Sequence, residues 1–73
     1  MKKIYEITIF DAIRGTLVYE DRSLEMINFI FSEKLKETGN IKEMVIIEYN
    51  SYWDYKVIKS FENIKWRTHV YEH

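Results

Sequence analysis

The sequence predicts one α+β domain over residues 1–73, a mainly antiparallel sheet of four to five strands with one helix packed on one face, in the order ββαβββ. Three observations carry this. Two β-branched and aromatic runs near the start flank a turn built from Asp and Gly. One amphipathic stretch in the middle is bracketed by residues that cap helices. The last part of the chain returns to alternating strand-like runs. A chain of 73 residues has room for one core, and no repeat, linker or low-complexity tract divides it.

The first strand is expected over residues 3–12, with Tyr5, Ile7 and Ile9 on one face and Glu6, Thr8 and Phe10 on the other. Asp11 starts a turn and Gly15 supplies a residue tolerant of positive φ, so residues 16–20 return as the second strand of a hairpin. Ser23 is a helix N-cap and Glu25 suits the positive end of the helix dipole. Gly39 and Asn40 mark a stop, which places the helix over residues 24–38. Leu24, Met26, Ile27, Ile30, Phe31 and Leu35 gather on one side of it. Phe29 falls in the polar sector beside Glu25 and Lys36 and stands apart from that stripe.

Residues 43–50 form the next expected strand, and residues 53–61 another, with Trp53, Tyr55, Val57 and Phe61 on one face. Asn50 and Ser51 suit a tight turn between them, and a longer loop with Tyr52 and Trp53 at its tip is the alternative. Residues 62–64 make a short connection to a last strand over 65–71, in which Trp66, Thr68 and Val70 alternate with Lys65, Arg67, His69 and Tyr71.

Composition narrows the functional classes. The chain has no cysteine, which removes disulfides and thiolate chemistry and favours a reducing, cytoplasmic setting. No signal-peptide core or membrane span can be drawn. The formal net charge of -1 matches neither a strongly basic nucleic-acid clamp nor an acidic mimic of DNA. The bias toward Ile, Lys, Glu and Asn, without Pro, fits an AT-rich genome of the phage or mobile-element kind.

Enzymatic motifs are missing: there is no phosphate loop, no nucleophile elbow and no histidine pair at metal spacing. No catalytic residue, metal site or cofactor is expected. His69 is the one histidine away from the C-terminus, and it reads as a strand residue facing solvent or a cross-strand carboxylate. The acidic pairs Glu20-Asp21 and Glu33/Glu37 read as solvated surface.

The aromatics are more informative. Tyr49, Tyr52, Trp53, Tyr55, Phe61, Trp66 and Tyr71 crowd the last third, interleaved with Lys56, Lys59, Lys65 and Arg67. Trp53, Tyr55, Phe61 and Trp66 suit a core that one helix cannot fill alone. With the helix on the face of Tyr5, Ile7 and Ile9, the opposite set (Phe10, Tyr52, Lys56, Ile58, Arg67, His69 and Tyr71) is left toward solvent. An uncovered apolar and aromatic face marks an interface. The expected function is therefore a non-enzymatic protein-interaction domain that binds and modulates a host protein through Phe29, Tyr52, Trp53, Arg67 and Tyr71, a second copy of the chain being another occupant. The alternative is a single-stranded nucleic-acid module that stacks bases on Tyr55 and Trp66 and meets phosphates with Lys56, Lys65 and Arg67. The hairpin, helix, hairpin order resembles that of small phage-encoded inhibitors of host enzymes, in element order alone, and implies a protein target.

Overall fold

The computed structural model describes residues 3–37, 39–64 and 67–73, with Arg67 and Thr68 described by their backbone. The expected order ββαβββ is observed: β1 (Ile4–Asp11), β2 (Gly15–Asp21), α1 (Leu24–Leu35), β3 (Ile41–Tyr49), β4 (Tyr55–Ile64) and β5 (Arg67–Glu72). The strands form one antiparallel sheet in the order β2-β1-β3-β4-β5, so β1 and β3 are central although the helix separates them in sequence.

Local chemistry sets the first hairpin. Asp11 and Gly15 face each other across a loop of three residues, and Gly15 sits at φ 82, a conformation that a side chain would strain. The Asp11 carboxylate is almost buried and accepts hydrogen bonds from the Ile13 and Arg14 amides at 2.8 and 2.9 Å. The amides of Arg14 and then of Ile13 hold its carboxyl below the usual carboxylate range, against the opposing effect of burial. A carboxyl lowered on folding stabilises the fold fully above its unfolded value near about pH 4, and that contribution is lost as pH falls through the folded value. Asp11→Asn is therefore expected to lower the melting temperature markedly at about pH 7 and much less at about pH 3. An equal loss at both pH values would contradict this role.

The helix starts as expected, with the Ser23 hydroxyl accepting from the Met26 amide at 3.2 Å. It ends earlier than residue 38. The Lys36 and Glu37 amides bond back to the Glu33 and Lys34 carbonyls, a tightening to i→i−3 geometry that closes the helix at Leu35. Thr38 lies outside the described residues, and the helix has closed before Gly39 is reached.

The helix backbone lies over β1, β2 and β3. Between the layers Ile7, Ile9, Ile27, Phe31, Ile41, Met44, Ile46 and Phe61 are fully enclosed, with Tyr5, Leu17, Ile30, Leu35 and Ile58 packed around them. Met26, expected in the buried stripe, is half exposed at its margin.

The second half of the sheet departs from the alternation read in the sequence. Ile46 faces Lys59 and Ile47 faces Val57, so Ile58 is an extra residue in β4, a β-bulge. Alternation restarts across it. Tyr55 and Val57 share a face with Tyr49 and Ile47, whereas Lys56, Lys59 and Phe61 share the helix side with Glu48, Ile46 and Met44. The expected set of Trp53, Tyr55, Val57 and Phe61 on one face is thus split, and Phe61 alone of the four enters the core. Lys56 and Ile58, expected on the uncovered face, lie on the helix side. The alternative of a longer β3–β4 loop is the observed one. Asn50 and Ser51 donate to the Asp54 carbonyl, and Tyr52 and Trp53 ride at the tip, outside any strand. Residues 62–64, expected as a connection, continue β4.

Candidate functional site

Among the described residues no helix lies on one face of the sheet, and the register fixes which side chains share that face. Running across from β2, one row reads Glu20, Glu6, Ile47 and Val57. The next reads Val18, Thr8, Val45, Ser60 and Tyr71, and a third reads Thr16, Phe10, Glu43, Glu62 and His69. Ile4, Tyr49 and Tyr55 close one end, with the two tyrosine rings 5.4 Å apart. Phe10, Val18, Tyr55, Val57 and Tyr71 all remain substantially exposed. Exposed apolar residues thus recur on four of the five strands of this face.

The same face collects carboxylates. Glu6 stands directly opposite Glu20, and Glu43 directly opposite Glu62. Like charges in direct cross-strand pairs repel, since their Cβ atoms are only about 5 Å apart. Among the described residues no ion pair relieves any of the four, because the ion pairs use Asp11, Glu33, Glu37, Glu48 and Glu72. The lysines that the register or a contact places are on the other side: Lys3 holds the buried Glu48 at 3.0 Å, and Lys59 pairs with Glu72 and covers the Phe31 ring at 4.7 Å. Acidic pairs thus gather on one face, with Glu6 and Glu20 at the edge away from β5, where the Arg67 backbone lies. Relieving the repulsion at the edge strand should help folding, so Glu20→Gln is expected to stabilise by about 0.5 kcal/mol in urea unfolding. A destabilised variant would show that a cation already pairs with Glu20.

At the Ile4 end the face deepens into a cup of about 390 Å³ lined by Ile4, Glu6, Glu20, Tyr49, Ser51 and Tyr52. Burial first, and then the charge of Glu6, pushes the Tyr49 hydroxyl above its ordinary value, so it stays a neutral donor at the cup wall. The β3–β4 loop brings Tyr52 there, with Trp53 beside it at a ring separation of 6.1 Å.

The residues singled out in the sequence are only partly brought together. Tyr52 and Trp53 are 83% and 87% exposed at one end of the uncovered face, and Tyr71 lies within it on β5, stacked on His69. Phe29 is 59% exposed on the outer side of the helix, the opposite layer of the molecule, so a single flat interface cannot use it with Tyr71. The backbone of Arg67 faces Ile64 at the end of β4. For the nucleic-acid alternative, Tyr55 and Lys56 point to opposite faces, while Lys65 and Trp66 lie outside the described residues. His69 faces Glu62, the cross-strand carboxylate expected for it, and among the described residues no three acidic or histidine side chains converge as metal ligands.

Sequence reasoning missed Glu6, Glu20, Glu43, Glu62, Tyr49 and Val57 as members of one surface. Alternation within β1 puts Glu6 outward, but which residues stand beside it depends on strand pairing and on the bulge in β4. Comparison with protein-family models, curated proteins and solved structures found no match to this chain.

Proposed function

We propose that the chain is a small non-enzymatic interaction domain that docks another protein on the uncovered face of its sheet. The observation that carries this reading is the concentration of Tyr55, Val57, Tyr71, Phe10 and Val18 on a face that the one helix does not cover. Tyrosine is prominent among residues that carry binding energy at interfaces, and a broad exposed apolar surface loses free energy to water until something covers it. The loop with Tyr52 and Trp53 extends the same surface at one end. A phage or mobile-element protein acting on a host protein fits the composition and the element order, and the absence of cysteine fits a reducing, cytoplasmic compartment.

The test is capture from host lysate by tagged wild type and by a Tyr55→Ser/Val57→Ser variant, with the molar mass of each measured by light scattering on dilution. Loss of a specific partner by the variant supports the reading. Identical partners for both proteins remove this face from the interface, and a wild-type dimer that the variant breaks assigns the face to a second copy.

A further inference from the structure

Charge decides what kind of protein surface fits the uncovered face. Two glutamate pairs, Glu6 with Glu20 and Glu43 with Glu62, are set directly opposite each other where repulsion works against folding. A stable fold would gain by placing a lysine in any one of these positions. Lys56 and Lys59 lie on the helix side instead, where Lys59 pairs with Glu72. The field at the Glu6 and Glu20 end of the face is therefore negative, and an occupant that brings positive charge there turns the repulsion into attraction. A second copy docked face to face would bring the same carboxylates, and a nucleic acid would bring phosphates. Set against Glu6 and Glu20, either group would add to the repulsion.

Resting on the interaction reading above, we propose that the partner protein docks through lysine or arginine side chains, with one cation seated in the cup formed by Glu6, Glu20, Tyr49 and Tyr52. The cup has the parts that such a group needs. Its two carboxylates supply charge-assisted hydrogen bonds, and tyrosine rings attract a cation over their faces. Its volume, about 390 Å³, admits a guanidinium or ammonium head with its methylene stem, and Ile4 offers that stem an apolar wall. The Tyr55 and Val57 strip beside it then takes the apolar remainder of the partner.

The experiment is an amide-resolved NMR titration of the whole chain with n-butylguanidinium, and with butyrate, inorganic phosphate and a short single-stranded oligonucleotide as separate probes. Saturable shifts are expected at Glu6, Glu20, Tyr49 and Ser51 with the cation and with none of the others, weakening as salt rises. A Glu6→Gln/Glu20→Gln variant is expected to fold, melt no lower than wild type and bind the cation at least about tenfold more weakly. Each of these results overturns the proposal: no saturable shift at these amides, an unchanged affinity in the folded variant, or shifts there with phosphate or the oligonucleotide. Concentration-dependent shifts across the face without any probe overturn it in favour of a second copy. The two readings fail separately. If Tyr55→Ser/Val57→Ser loses the captured partner while Glu6→Gln/Glu20→Gln keeps it at full affinity, the interface stands and the cation anchor falls. If both variants keep the partner, both readings fall.

Discussion

Phe31→Ala is expected to unfold much of the protein at room temperature, whereas Phe29→Ala, two residues away on the same helix, is expected to leave stability nearly unchanged. Phe31 is fully enclosed between the helix and the sheet, and Lys59 reaches across from β4 to cover its ring. Truncating a buried phenylalanine costs about 3–5 kcal/mol through lost transfer energy and the cavity left behind. A domain of this size buries only about 60% of its unfolded surface, so its whole stability is expected near the low end of roughly 5–15 kcal/mol. One substitution therefore removes most of it. Phe29 is 59% exposed on the outer side of the helix and loses little by truncation, about 0.5 kcal/mol or less. Urea unfolding of both variants checks the pair. Comparable losses at the two positions would mean that the helix is rotated on the sheet from the orientation described.

The second large effect concerns binding. Tyr55→Ser/Val57→Ser is expected to weaken the captured partner by about thirtyfold or more, about 2 kcal/mol, with the urea midpoint close to wild type. The two side chains sit on the uncovered face beside the cup, and neither belongs to the enclosed core. Their loss removes contact area from the surface rather than support for the fold. Titration calorimetry on the captured partner gives the affinity, and denaturation in the same buffer gives the control. A variant that binds as tightly as wild type removes the strip from the interface. Weaker binding that merely tracks lost stability does the same.

How far these features could be read in the chain differs between its halves. In the first half local chemistry suffices for all but the end of the helix, which closes at Leu35, and the half-exposed Met26. The Asp11 and Gly15 turn, the Ser23 cap, the inward set of Ile7 and Ile9 and the outlying Phe29 all follow from residue type and period, and each is observed. In the second half two nonlocal facts intervene. The bulge at Ile58 leaves β4 with a run that alternates plausibly either way, and only its pairing with Ile46 and Ile47 shows that Tyr55 and Phe61 have parted faces. The carboxylate pairs join β1 to β2 and β3 to β4, so residues that look like scattered surface charge in sequence become neighbours only in register. A net charge of -1 conceals that gathering, because Lys3, Lys56 and Lys59 are on the other side of the same sheet. The aromatic richness of the last third was legible, and its division between core and surface was not.

The central claim, that the uncovered sheet face is where this protein meets its partner, is tested most directly by photocrosslinking in the host. Tyr55 and Phe29 are aromatic, equally exposed at 58% and 59%, and lie on opposite layers, so benzoylphenylalanine fits either position with similar disturbance. Crosslinked product from the Tyr55 position and little from the Phe29 position is the expected result. Product from Phe29 with none from Tyr55 would place the interface on the helix and contradict the account.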